Sequence, residues 1–550
     1  MVKADAVFVN GKIWTGDPAR PWAHALSVAF GRVAALGDDA LQLPAAQTVD
    51  LSGRTVVPGF YDAHHHLALR GQRLAALDLG FHAAPSRERL LEVIAGHARI
   101  LPEDSWVRGG GFDQNKIGGF PTREEFDTAA GGRPVWITHV SEHMAVASTS
   151  AMHRVGVTDL ANPPTMTGGL IEVGEDGLAT GLFLENAKKW FDSRLKPYPV
   201  SDIITSLETG SRIALTEGIT SVADPGIGAT NGIGMGPADL HAYQRAREQQ
   251  RLHVRVTAMP YLTATHGIEH FEPGSDGWGL DLGLRSGFGD EHLSIGAVKV
   301  LSDGSLIGRS AALTCDYHDH ADDGMLLFDP EELGATLSSL HRSGWQLAVH
   351  AIGDRAVEHA VEHLRRAQQS HPRRVLPRHR IEHCGMASDE SVRRIAELGI
   401  IPVPQGRFLT ELGDGFIDVL GTERADRLVY RMKSFLDAGV ELPGSSDTPV
   451  VEAHPMKGIH DMVNRRTADG QPIGLHEGVT VEQAFRAYTY GSAYASHQEH
   501  IKGRLMPGLL ADMAVLGANP FAAKPAELGD IAVRATVLGG EVVFGAESLG

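Results

Sequence analysis

Cysteine is almost missing from this chain of 550 residues: Cys315 and Cys384 are the only two. Two thiols cannot form the framework of a disulfide-stapled secreted fold, so reduced cysteines and a cytoplasmic location are expected. Positive charge is in deficit as well. Lys and Arg number 50 against 68 Asp and Glu, a formal net charge of -18. With no basic stripe either, nucleic acid and anionic membrane are excluded as expected partners. No apolar run reaches transmembrane length. The opening residues Met1-Val2-Lys3-Ala4-Asp5 lack the charged-then-apolar order of a signal segment, and long like-charge tails are absent. What is present is a globular chain, 42% hydrophobic, long enough for more than one domain. Histidine is plentiful at 28 residues. The chain is therefore rich in metal ligands, although many of these must simply be surface residues.

Three of those histidines close the run Val56-Val57-Pro58-Gly59-Phe60-Tyr61-Asp62-Ala63-His64-His65-His66. It reads as one short buried strand. Alternate side chains of a strand share a face, so His64 and His66 point together and His65 points away. Two imidazoles on one face can grip one metal ion. Consecutive histidines can equally be a polar strand terminus, and context has to decide.

Around this run the chain reads in three parts. Residues 1-57 are short strands with turns, including Ala6-Val7-Phe8-Val9 before Asn10-Gly11, a hairpin signal. Residues 501-550 have the same character, with strands at Ala511–Leu516, Ile531–Val537 and Glu541–Phe544. A small composite β-sandwich built from both termini is expected, since termini often lie close together. Between them, residues 58-500 alternate strand and helix. Strands are expected at the histidine run and at 219–224, 254–259, 297–301, 346–350, 380–383, 400–403 and 440–445. Eight strands alternating with helices predict an α/β fold, a (β/α)8 TIM-like barrel. Residues of about 70-200 are too long for a loop and read as an inserted subdomain after the first strand.

Chemistry in such a barrel sits at the C-terminal strand ends. The first strand ends in His64 and His66. The fourth carries Lys299 and then Asp303, the fifth ends in His350, the sixth in His383 and the eighth in Asp447. Each alone has an ordinary structural explanation. Their joint placement does not, and Lys299 lies inside the apolar run Gly296-Ala297-Val298-Lys299-Val300-Leu301, where an unpaired charge is costly.

The run Pro58–His66 resembles the metal-binding motif of the amidohydrolase superfamily, as does the order His-x-His, Lys, His, His, Asp along the strands. Further pieces resemble the YtcJ-like subgroup, amidohydrolase family 3, which includes N-substituted formamide deformylases. These are Gly111-Phe112-Asp113-Gln114-Asn115, Ser141-Glu142-His143, Val298–Ser305, His350-Ala351-Ile352-Gly353-Asp354 and Pro507–Leu516. The resemblance implies that His64 and His66 bind one metal with Asp447 as a further ligand, that His350 and His383 bind a second, and that Lys299 bridges both as a carbamate formed from CO2. It implies two divalent ions, with Zn2+ suited to these ligands. The implied chemistry is attack of a metal-activated hydroxide on a small-molecule amide-type C–N bond, a formamide, N-acyl amine or cyclic amide rather than a peptide. Asp447 is then the catalytic proton carrier, Asp303, His143 and Asp113 are candidates for substrate contact, and a homodimer is expected. Cys384 directly follows His383, so strand alternation turns its thiol away from the metal.

Two other readings compete. Deaminases of the same superfamily commonly carry a glutamate shortly after the fifth-strand histidine; here His350 is followed by Ala351-Ile352-Gly353-Asp354. A non-catalytic metal-binding regulatory protein would have lost part of the ligand set, which this sequence retains.

Overall fold

The computed structural model describes residues 3–80, 82–101, 105–139, 144–229, 233–272, 275–318 and 321–549. At its centre are two four-stranded sheets in which every pairing is parallel. The first holds Phe60–Asp62, Ile219–Ile227, Arg255–Pro260 and Leu293–Ile295; the second holds Val298–Leu301, Leu347–Ala351, Arg380–His383 and Ile401–Val403. A parallel bridge between Tyr261 and Lys299 joins them on one side. On the other side, Gln405 pairs with Ser445 and His65 pairs with Thr448, both in parallel. Helices such as Val200–Thr216, Asp239–Glu248, Pro330–Arg342, Asp354–Ser370 and Asp389–Leu398 alternate with these strands. This is an α/β, TIM-barrel-like fold.

The helices form for local reasons. In Asp354–Ser370, Val357, Ala360, Val361 and Leu364 recur at helical spacing and are all buried. Asp389–Leu398 starts where the Ser388 hydroxyl accepts from the Ser391 N–H, and it stops at Gly399, whose φ of 60° closes the helix with a left-handed residue.

The expected strand 400–403, which carries Pro402, is present as Ile401–Val403, whereas two other expected strands are less regular in space. The expected strand 297–301 is one part of a longer course, broken between Ile295 and Val298. The expected strand 440–445 is not a ladder strand. It is an extended stretch held by single contacts, among them the Ala63 N–H donating to the Gly444 carbonyl at 2.9 Å. Pro443 within it has no N–H to give a ladder.

The histidine run divides between two sheets. Thr55–Pro58 pairs antiparallel with Met513–Leu516 of the C-terminal segment, whereas Phe60–Asp62 pairs parallel with the strand Ile219–Ile227. Gly59 is the joint. A Cβ there would lie 2.3 Å from the Thr220 hydroxyl oxygen, so the close approach of the Thr220 side chain requires glycine.

Strands from both ends of the chain share a six-stranded sheet, in which Lys12–Trp14 and Thr55–Pro58 lie beside Met513–Leu516, Val533–Leu538 and Glu541–Phe544. A second, four-stranded sheet contains Ala4–Val9, Leu26–Ala29, Arg32–Leu36 and Ala45–Asp50. Phe8, Leu26, Val28, Val49, Val56, Met513, Val515 and Val537 are buried together between them. The expected Asn10-Gly11 hairpin is absent. Ala4–Val9 and Lys12–Trp14 lie in different sheets, and Asn10, at φ 57°, turns a corner from one to the other. The alternation of Ala6–Val9 with Ile13 is satisfied by the shared core instead of by mutual pairing.

Between Asp62 and Ile219 the chain makes a separate six-stranded sheet spanning Leu77–Asp78 to Ala179–Glu185. The helix Arg87–Ile100 covers it through Leu90, Ile94 and Ala98, spaced four apart. No helix among the described residues is long and apolar enough to cross a membrane.

Candidate metal centre

His64, His66, Lys299, Asp303, His350, His383 and Asp447 all line one cavity of about 530 Å³ at the C-terminal ends of the parallel strands. One ligand atom each from His64, His383 and Asp447 lies within 4.8 Å of the others, and all three residues are buried. His66 joins them: its Nε2 is 3.2 Å from Asp447 Oδ1, and His64 Nε2 is 3.3 Å from the same oxygen. The two imidazoles share a face as the alternation requires. His65 turns the other way, its Nδ1 3.0 Å from Asp62 Oδ2. Asp62 also accepts from the Ser446 N–H and hydroxyl, which ties the first strand to the last.

His383 is aimed by Gln405, whose side-chain oxygen is 2.8 Å from Nδ1, leaving Nε2 for the cavity. The ring of His350 is 4.5 Å from that of His383. Its Nε2, however, faces the Gly304 carbonyl at 3.2 Å and Asp303 Oδ1 at 3.4 Å. Among the described residues the close group is therefore single, with His350 and Lys299 beside it.

The backbone is unusual where the ligands gather. His383 has φ 68° and Asp447 has φ 61°. Non-glycine residues in the left-handed region are uncommon, and such strain persists mainly at functional positions. Cys384, at φ 45°, shares this turn, so strand alternation does not apply to it. The thiol is nonetheless buried outside the cavity lining, and burial pushes its pKa up.

Electrostatics favour metal-ready forms. Burial lowers His383 to about 3 and holds His350 well below its usual value, so both rings are neutral near pH 7. Burial alone would raise the Asp447 carboxyl, but His64 and His66 hold it well below the usual range. Burial likewise brings the Lys299 amine down to about 8, against the pull of Glu382 and Asp447. Neutral imidazoles at His66, His350 and His383 with an ionised carboxylate are the donor set that divalent metals such as Zn2+ take. At His64, burial and Lys299 are outweighed by Asp447 and Glu382, which raise its pKa, so a metal there would displace a proton. His66 Nδ1 is buried with no hydrogen-bond partner. The residues present fit a divalent ion.

A supporting layer lies outside the sequence reading. Glu382 is fully buried and accepts from His64 Nδ1. Arg380 clasps Glu382 with Nε at 2.7 Å and Nη2 at 2.9 Å, and Nη2 also reaches the Ala63 carbonyl at 2.7 Å. The signal was there in Arg380-Ile381-Glu382: spacing of two puts both charges on one strand face.

Other candidates are placed differently. Asp303 accepts from the N–H groups of Ala312, Ile352 and Gly353 at 2.9–3.0 Å, so it pins the loop after the fifth strand rather than presenting a free carboxylate. Asp113 caps the helix Gln114–Ile117, accepting from the Asn115 N–H at 3.0 Å, and is not part of the cavity lining. His143 falls outside the described residues.

A strained, histidine-rich cluster lining one cavity of a TIM-barrel-like fold defines a candidate site for a divalent metal. The family is more specific. Residues 47–544 match the model of the amidohydrolase family, and the chain belongs to it. It is 30% identical to the N-substituted formamide deformylase of Arthrobacter pascens, covering 98% of this chain and 97% of that protein. It is 27% identical to the YtcJ protein of Bacillus subtilis over 91% of each chain. An uncharacterized metal-dependent hydrolase from Pyrococcus furiosus has a similar structure, with a TM-score of 0.76 and 28% identity over 94% of this chain and 99% of that one.

Proposed function

We propose that this protein is a metal-dependent hydrolase of amide-type C–N bonds other than peptide bonds. The observation that carries the reading is the meeting within 4.8 Å of His64 and His383, each at the end of a parallel strand, with Asp447, which follows the extended stretch 440–445. The deformylase relative supports the bond type through its name.

His64, His66, His350, His383 and Asp447 would hold divalent metal, Zn2+ being suited to the set. Bound metal supplies a water acidic enough to attack near neutral pH and polarises the carbonyl under attack. The chain's own contribution is proton transfer and orientation. The ionised Asp447 carboxylate takes the proton of the attacking water and returns it to the departing amine nitrogen. Glu382 fixes the tautomer of His64 by taking its Nδ1–H, and Gln405 fixes that of His383. Lys299 is proposed to serve as a carbamate. With its pKa brought down to about 8, a useful fraction is free amine near neutral pH. That amine forms an N–C bond to CO2 and releases one proton, turning a buried cation into an anionic oxygen ligand.

The test is metal analysis combined with a turnover screen on formamides, N-acyl amino acids and ring amides. Divalent metal with amine release supports the reading. Metal with ammonia release from aminated heterocycles favours a deaminase, and intact metal with no turnover on any C–N substrate favours a binding protein.

A further inference from the structure

Above the ligand cluster the cavity changes character. Leu301, Leu306, Ile352, Phe408, Leu412 and Phe416 form its walls. Near the opening, Ile307, Leu327 and Val450 line it while 40%, 48% and 57% exposed. Met325 and Phe328, neighbours of Leu327 in the chain, are exposed too. Among the described lining residues the only cation is Lys299, on the floor. The carboxylates are Asp447, within the cluster, and Asp303, occupied by three backbone N–H groups.

Specificity follows from this division. A ligand whose amide reaches the floor must lay its substituent along apolar walls. A carboxylate on that substituent would lose its hydration and meet no cation among the described residues of the walls, a heavy cost in an apolar setting. An aryl or branched alkyl group would gain from leaving water. Exposed apolar side chains gathered at an opening mark a binding surface more often than chance would place them there.

We infer that the substrate is a neutral amide bearing one bulky apolar group, and that N-acyl amino acids and other carboxylate-bearing amides are rejected. This deepens the hydrolase reading and rests on it for the placement of the amide.

The experiment compares three probes that differ by one feature: N-(2-phenylethyl)formamide, N-formylphenylalanine and N-methylformamide. Removing the carboxylate separates the first two, and removing the aryl group separates the first and third. Their affinities are measured by calorimetry on metal-loaded Asp447→Asn protein, and kcat/KM is measured on the wild type. The phenylethyl probe is expected to exceed each of the others by at least a hundredfold in both readouts. Equal or stronger recognition of N-formylphenylalanine overturns the inference, as does failure of the phenylethyl probe to bind. Selective binding without turnover by the wild type leaves the inference standing and defeats the hydrolase reading. The exposed positions provide a check free of folding effects: Ile307→Ser with Val450→Ser should weaken the phenylethyl probe about tenfold and leave metal content unchanged. Unaltered affinity in that variant also overturns the inference.

Discussion

Glu382 is the sharpest place to perturb the site without touching a proposed ligand. Its carboxylate takes the His64 Nδ1–H on one side and two guanidinium N–H groups of Arg380 on the other. Glu382 and Arg380 are 0% and 1% exposed, so neither has water to fall back on. Glu382→Leu should have two separable effects. It strands the Arg380 charge, and breaking a buried pair on one side costs about 3–5 kcal/mol. It also frees the His64 ring, and loss of such an orienting partner typically lowers metal affinity about 10–100-fold. The double variant Glu382→Leu/Arg380→Met separates them. An apolar pair of similar volume should recover most of the stability, because no lone charge remains. It should not recover metal affinity, because His64 still lacks its acceptor. Denaturant unfolding gives the first quantity and chelator competition the second. If the double variant regains wild-type metal affinity, or if Glu382→Leu never loses it, the orienting role is refuted.

Further outcomes follow from the same geometry. His65→Ala should keep its metal, whereas His64→Ala should not, since His65 bonds Asp62 and points away from the cluster; elemental analysis of the two proteins decides this. Asp447→Asn should fold normally and lose turnover by roughly 10²–10⁴, the usual range for a positioned acid–base group, and near-normal rates would remove Asp447 from proton transfer. Lys502, buried over the Tyr61 ring and donating to the Ser221 hydroxyl at 3.0 Å, is lowered by burial to about 7. Between there and about 10.4, the ordinary lysine value, the unfolded chain holds a proton that the folded chain has lost. Stability from this group therefore rises with pH across that window, by up to about 1.4 kcal/mol per pH unit. Lys502→Met should remove that slope in denaturant titrations at pH 7 to 10, and an unchanged slope would contradict the assignment.

The sequence announces the fold where side chains repeat and hides it where single contacts do the holding. The helix Asp354–Ser370 is plain from Val357, Ala360, Val361 and Leu364. The last barrel segment is harder, because Gly444 and Ser445 attach through isolated bonds and leave little pattern. Asn10-Gly11 misleads because a positive-φ turn suits a corner between sheets as well as a hairpin. At the site, residue type and strand position brought His64, His66, Lys299, His350, His383 and Asp447 to one cavity. Their partners were less visible. Glu382 reaches the cluster through His64, and the Asp303 carboxylate accepts from three backbone N–H groups that only the fold brings to it. The left-handed turn at His383 and Cys384 has little sequence mark: histidine tolerates that region better than most residues, but no glycine or asparagine stands there.

The central claim is that the strand-end cluster is a metal centre that depends on Lys299. Elemental analysis of the purified wild type and of Lys299→Ala, each dialysed against metal-free buffer, tests it directly. The wild type should retain one to two equivalents of divalent metal per chain. Lys299→Ala should lose most of it and regain part, with part of the activity, on addition of a short carboxylic acid. Equal metal content in the two proteins would contradict the account.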